Sequence, residues 1–352
     1  MYNKEEKMAK TKFTMIGMTS SGKSCYITAM YMKMAVGMDA FTLTTDEDTR
    51  KKLERDIRTL REPIGVSRFP SATQNNEESI RKYEFQLNKD RKEIITFEMM
   101  DYAGGALVDY GAVYDEVKQS IEESTALYIF IDGKSLCSDD PEERRENVYY
   151  DCAMTITPLL QEFANSHEGA LPPVVFVITK SDLCKHFVSD SELTALVKEL
   201  FSPAFSDNTI SYMCAISLGD DISEDEYKGR FRPINVHLPF FLGCYHEYVA
   251  QYQILKADVE DSNWQLEKEK RQALNAAEKE NKKFFIFKND EFINARREAA
   301  KTAKKFIDEN NNLVDATKKM ATIFGKRLEQ ESDSFKCFKN GIEQGEFRAF
   351  EL

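Results

Sequence analysis

Apolar and polar positions along the first two thirds of the chain fall into blocks that switch between strand and helix periods. Phe13, Met15 and Ile16 lead into a glycine turn, and Tyr26, Ile27, Met30 and Met32 continue at helical spacing. Tyr83, Phe85 and Leu87 alternate as a half-buried strand does, and the run from Glu93 to Asp101 predicts a strand that ends in an acid. The stretches Ala126 to Ile131 and Val174 to Ile178 are apolar without interruption, the pattern of strands covered on both faces. Helix-like runs cover Val113 to Ser124, Glu142 to Asn165 and Leu193 to Leu200, and a further strand covers Ile210 to Cys214. Strands alternating with helices predict an α/β fold, a mostly parallel sheet flanked by helices with right-handed crossovers. Leu53, Ile57 and Leu60 in the charged run from Asp46 to Arg61 predict one additional helix.

The pattern changes near residue 245. No proline follows Pro239, strand signals cease, and Tyr245, Tyr248, Tyr252, Leu255 and Val259 step by three and four along one helical face. Lys288-Asn289-Asp290 offers cap residues, and Ala299, Ala303, Phe306, Leu313, Met320 and Phe324 mark a second face. The expected organisation is therefore an α/β domain over 1–252 and an all-helical hairpin or stalk over 253–352. The aromatic cluster Phe284-Phe285-Ile286-Phe287 falls at the expected turn. A helix of forty residues reaches about 60 Å, long enough for an arm that binds a partner or a second copy, or one folded back on the domain, with a loosely ordered tail as the third reading.

Candidate chemistry sits at the strand ends. Gly17-Met18-Thr19-Ser20-Ser21-Gly22-Lys23-Ser24 is a complete G-x-x-x-x-G-K-[ST] phosphate loop between an expected strand and an expected helix. Its N–H groups and the helix dipole favour a polyphosphate. Lys23 reaches the outer phosphates, Ser24 offers a hydroxyl to Mg²⁺, and Cys25 abuts the loop. Thr179-Lys180-Ser181-Asp182 follows the apolar run at 174–178. A carboxylate there accepts both the N1–H and the 2-amino group of guanine, a donor pair that adenine lacks. Asp101-Tyr102-Ala103-Gly104 reads D-x-x-G, which suits an acid held near Mg²⁺ and a Gly104 N–H close to a γ-phosphate.

These three motifs, in this order, resemble the P-loop GTPases over roughly residues 10 to 252. The resemblance implies GTP and GDP as ligands with Mg²⁺ held by Ser24, Asp101 and a switch threonine. Thr73 in Phe69-Pro70-Ser71-Ala72-Thr73-Gln74 is the choice for that threonine and Thr45 the runner-up. The guanine-supporting loop matches best at Cys214-Ala215-Ile216, with the Ala215 N–H facing guanine O6. Where many members place a water-orienting glutamine directly after D-x-x-G, this chain has Gly105. Gln74, Arg68 or a partner protein remains to supply that role. The layout looks most like bacterial GTPases associated with conflict and defence systems. Three classes of function follow: a GTP-hydrolysing switch or assembly protein, a GTP-binding module with little turnover, and, less in keeping with Asp182, a P-loop ATPase.

Composition narrows the partners. The chain has 352 residues with 42% hydrophobic content and a net charge of −12, which argues against generic nucleic-acid binding. Seven cysteines without a C-x-x-C pair suit a reducing cytoplasm, and four histidines lack metal-ligand spacing. The N-terminal twelve residues carry no apolar targeting core, and no apolar run approaches the length of a bilayer span.

Overall fold

A computed structural model of the chain describes residues 11–62, 69, 80–102, 112–220, 222, 229–281 and 311–352. Thr11–Ile16 (β1) leads through the phosphate loop into Lys23–Ala35 (α1), followed by Phe41–Thr45 (β2) and Glu47–Arg61 (α2). The latter is the additional helix expected from residue spacing. Its N-cap Asp46 accepts from the N–H groups of Asp48 and Thr49, which satisfies two donors that a helix start leaves orphaned. Ile80–Lys89 (β3) and Lys92–Tyr102 (β4) form an antiparallel pair, then Ala112–Glu122 (α3) and Ala126–Asp132 (β5) follow.

The next helical stretch runs as Pro141–Val148 (α4), a π-turn at Tyr149–Ala153 and Met154–Ser166 (α5). Pro141 follows the N-cap Asp140, where its missing N–H costs no hydrogen bond. Val174–Thr179 (β6), Ser181–Cys184 (α6), Asp190–Leu200 (α7) and Ile210–Ala215 (β7) complete the expected alternation. A reciprocal Ser189–Glu192 capping box starts α7. Leu238–Asn281 (α8) and a helix over 311–329 (α9) follow, and Lys336–Lys339 (β8) and Ile342–Gln344 (β9) come last.

The strands form one sheet in the order β2-β3-β4-β1-β5-β6-β7-β8-β9. The centre, β4-β1-β5-β6-β7, is parallel, and both flanks are antiparallel. Every residue of β6 is buried, as its unbroken apolar sequence requires. Phe13, Phe97 and Phe240 cluster on one face, with the Phe97 and Phe240 ring centres 5.0 Å apart. On the other face α3, α4, α5 and α7 cover Ile129, Phe176 and their neighbours.

Two strands exceed what the sequence pattern shows. β8 pairs antiparallel with β7 and β9 with β8, where periodicity reads only helix. Phe338 of β8 is 1% exposed, its ring 5.2 Å from that of Phe205.

The chain divides into two compact units, 1–243 with 327–349, and 244–326 with 350–352. In the first, the returning segment is pinned by Arg327, which pairs with Asp39 and Glu331, while Glu331 meets His237 at 2.7 Å. In the second, Phe324 stacks on Tyr248 at 5.8 Å, and Phe350 lies on Tyr245.

His246, also in the second unit, is wholly buried, and burial pushes its imidazole down to about 3. The unfolded chain takes up that proton near pH 6.5. This residue's contribution is therefore complete above pH 6.5 and is lost as pH falls toward 3. Going from pH 8 to pH 5 should lower stability through this group by about 2 kcal/mol. Urea melts at the two pH values measure the loss, and His246→Phe should flatten it.

Candidate functional site

The site gathers at the C-terminal ends of the parallel strands. The register pairs Met15 of β1 with Asp101 of β4 and Asp132 of β5 with Thr179 of β6. The loop after β1 therefore lies level with an acid on one side and with the start of the Thr179–Asp182 turn on the other.

The phosphate loop has its distinctive backbone. Ser20 has φ 67°, and Gly22, the N-cap of α1, has φ 93°. A side chain at Gly22 is disfavoured by that φ, and its Cβ would stand 3.2 Å from the Thr179 methyl group. No side chain caps α1, so its leading N–H groups remain available to a ligand at the loop. Gly17 and Ser21 are buried, whereas Thr19 and Ser20 are exposed. Lys23 is 6% exposed, and its Nζ donates to the carbonyls of Gly17 at 2.5 Å and Met18 at 3.0 Å. Burial lowers its pKa, with Asp101 opposing that shift.

Ser24 Oγ donates to Asp101 Oδ2 at 2.6 Å. This pairs a hydroxyl with a carboxylate, the hard oxygen donors that Mg²⁺ takes alongside waters and phosphates. Among the described residues no group of three or more His, Cys, Asp and Glu could hold a metal. A one-carboxylate, one-hydroxyl set thus fits Mg²⁺ held jointly with phosphate, better than a cage made wholly of protein. Cys25 is protonated, its thiol pushed up to about 12 by burial.

The Thr179–Asp182 turn braces this loop. Thr179 Oγ1 donates to the Ser21 carbonyl at 2.9 Å and the Ile131 carbonyl at 3.2 Å. Lys180 adopts the left-handed conformation, φ 49°. Its Nζ reaches Asp132 Oδ2 at 2.5 Å and the Ser20 carbonyl at 3.2 Å. Asp182 is 8% exposed. Its Oδ1 accepts from Ser217 Oγ at 2.8 Å, while its Oδ2 is buried with no hydrogen-bond partner among the described residues. A buried carboxylate oxygen left unpaired is costly, which leaves this atom open to a further donor.

Ser217 is absent from the set picked out by sequence. Cys214 is buried inside β7, and Ala215 ends the strand with its carbonyl accepting from Asn235 Nδ2 at 3.3 Å. The residue that touches Asp182 lies two positions beyond Ala215. Its one signal was a serine just past the strand, ahead of a glycine. Thr45, the alternative switch threonine, donates to the Glu84 carbonyl at 2.6 Å in the β2–β3 pairing. Arg68, Thr73, Gln74, Gly104 and Gly105 lie outside the described residues.

Gly133 carries a steric constraint. A Cβ there would collide with the Thr179 carbonyl oxygen and stand 2.9 Å from that of Lys180. Gly133→Ala must displace the turn that positions Asp182. Guanine-nucleotide affinity should fall about tenfold in a fluorescent-nucleotide titration, with the helical circular dichroism unchanged.

A cavity of about 280 Å³ opens beside the loop, lined by Met18, Thr19, Ser21, Asp132, Tyr150 and Asp151 among others. The π-turn supplies Tyr150 and Asp151, and Ser135 Oγ donates to Asp151 at 2.5 Å.

The sequence profile of the Double-GTPase 2 family matches residues 13–224, a range that includes the phosphate loop, Asp101, the Thr179–Asp182 turn and Ser217. No curated protein matches the chain in sequence. Among solved structures, the chain is similar to the signal recognition particle receptor SRb-GTP/SRX complex from Chaetomium thermophilum. The two are 14% identical, over 54% of this chain and 78% of that one, with a TM-score of 0.30. Among the described residues no helix is long and apolar enough to cross a membrane.

Proposed function

The chain belongs to the Double-GTPase 2 family of P-loop GTPases, and from that premise we propose that it is a Mg²⁺-dependent GTPase whose nucleotide state controls its helical arm. Binding and hydrolysis of guanine nucleotide follow from the family. The residue roles and the coupling are our reading.

Lys23 exchanges its two carbonyl partners for the β- and γ-phosphate oxygens, and the loop N–H groups at the start of α1 surround the same phosphates. Ser24 and Asp101 would hold Mg²⁺, with Thr73 as the switch ligand. Mg²⁺ held there would supply positive charge to offset the charge that develops on the phosphates. Gly104 offers its N–H to the γ-phosphate. The attacking water is oriented by Gln74, by Arg68, or by a group that a partner brings. Asp182 reads the base by accepting the guanine N1–H and 2-amino hydrogens, supported by Thr179, Lys180 and the loop at Cys214, Ala215 and Ser217. The observation that carries this reading is the buried, unpartnered Oδ2 of Asp182, which guanine satisfies and adenine does not.

The arm, residues 253–352 in the sequence reading, is the element proposed to meet a protein partner or a second copy. Seven free thiols are in keeping with a reducing cytoplasm.

Steady-state phosphate release from GTP with Mg²⁺, with ATP in competition, tests the proposal. Turnover that excess ATP leaves unchanged supports it, and equal competition by ATP overturns the base assignment. Gly105, standing where many relatives carry glutamine, favours one second reading: tight GTP binding with little turnover until a partner arrives. Binding without phosphate release is the outcome that selects it.

A further inference from the structure

The hydrogen bonds around Ser217 lead away from the nucleotide site toward the start of α8. Ser217 Oγ accepts from the Gly219 N–H at 2.9 Å, which turns its own proton toward Asp182 Oδ1. Its backbone is held as firmly. The Ser217 N–H donates to the Ile234 carbonyl at 3.3 Å, and the Ile234 N–H donates back at 2.9 Å. The Arg232 N–H meets the Leu218 carbonyl at 2.7 Å. Asn235, directly after Ile234, sits in the left-handed region at φ 57° and donates from its side chain to the Ala215 carbonyl. Its own carbonyl accepts the Leu238 N–H at 3.0 Å, where α8 begins. The segment 232–235 thus runs antiparallel to 215–218, and Asn235 closes both that pairing and the first turn of the helix.

We propose that Asn235 is a positioning residue for guanine recognition, locking the 215–218 loop so that Ser217 holds Asp182 in the orientation that presents its free oxygen to the base. The inference rests on the reading of Asp182 as the guanine acceptor. Guanine engages a carboxylate through two parallel hydrogen bonds, so the carboxylate must keep one rotation. Hypoxanthine, which lacks the 2-amino group, uses one bond and tolerates a carboxylate that turns. Loosening the loop should therefore weaken guanine binding more than hypoxanthine binding.

The test uses the full chain with fluorescent GDP, IDP and ADP. Asn235→Asp and Asn235→Gly both accept the left-handed backbone and both remove the amide donor, so they preserve the turn while breaking the bond to Ala215. Thermal melts identify whichever variant keeps the wild-type fold. The expected result is about a fivefold fall in the ratio of GDP to IDP affinity, with IDP affinity changed less than twofold. Equal weakening of both nucleotides indicates a merely structural role and overturns the inference, as does an unchanged ratio. Wild-type protein that binds ADP as tightly as GDP overturns the Asp182 reading itself, and the inference with it.

Discussion

Lys23→Ala should abolish measurable GTP turnover and lower nucleotide affinity by two to three orders of magnitude. The ammonium is buried under the loop, held by the Gly17 and Met18 carbonyls and, at 3.5 Å, by Ser21 Oγ. Phosphate oxygens are far stronger partners for it than neutral carbonyls. Charge-assisted hydrogen bonds contribute about 1.5–3 kcal/mol each, so two to the β- and γ-phosphates are worth about 3–6 kcal/mol, and less the carbonyl bonds given up on binding the loss is about 3–4 kcal/mol. Chemistry suffers further, because charge on the γ-phosphoryl group and leaving oxygen loses its nearest cation. Lys23→Arg should not restore turnover, since a planar fork cannot occupy a pocket shaped around a point charge. Fluorescent-nucleotide titration and phosphate release measure both effects. Unimpaired binding in Lys23→Ala would place the phosphates elsewhere.

The second large effect concerns the base. In Asp182→Asn, one of two buried acceptors becomes a donor facing guanine donors, and GTP affinity should fall about 100-fold or more. The same change suits xanthine, whose C2 carbonyl accepts where guanine donates. Xanthosine triphosphate should therefore overtake GTP as the better substrate, while ATP gains nothing. The inversion separates a specific base contact from general damage to the fold, which weakens every nucleotide alike. A variant that still prefers GTP over xanthosine triphosphate would show that Asp182 does not read the base.

How much of this was legible depended on sequence distance. The phosphate loop is eight consecutive residues whose roles are all local, so spacing alone places it at the β1–α1 junction. β5 and β6 were equally plain, because a strand covered on both faces needs an unbroken apolar run. β8 was not. It is four residues long, carries lysine at both ends, and buries Phe338 through pairing with a strand more than a hundred residues earlier. Ser217 was missed for a related reason: it stands 35 residues from Asp182, and long-range backbone bonds of Ile216 to Ile178 and Ser181, together with the return of 232–235, bring it into place. The π-turn at Tyr149–Ala153 left no trace in a run whose apolar spacing reads as one helix.

The pairing of β7 with β8 also sets the order in which the protein can be completed. Ile210–Met213 form the outer edge of the parallel sheet until Lys336–Lys339 have been synthesised. At 5–20 residues per second, the intervening stretch takes on the order of 10 s to emerge from the ribosome. Throughout that interval the nascent sheet shows an open strand edge, the feature that invites pairing with other chains. β7 is therefore an edge of the GTPase unit that is open to misassembly during translation. Chaperone engagement should concentrate in the window between residues 215 and 340.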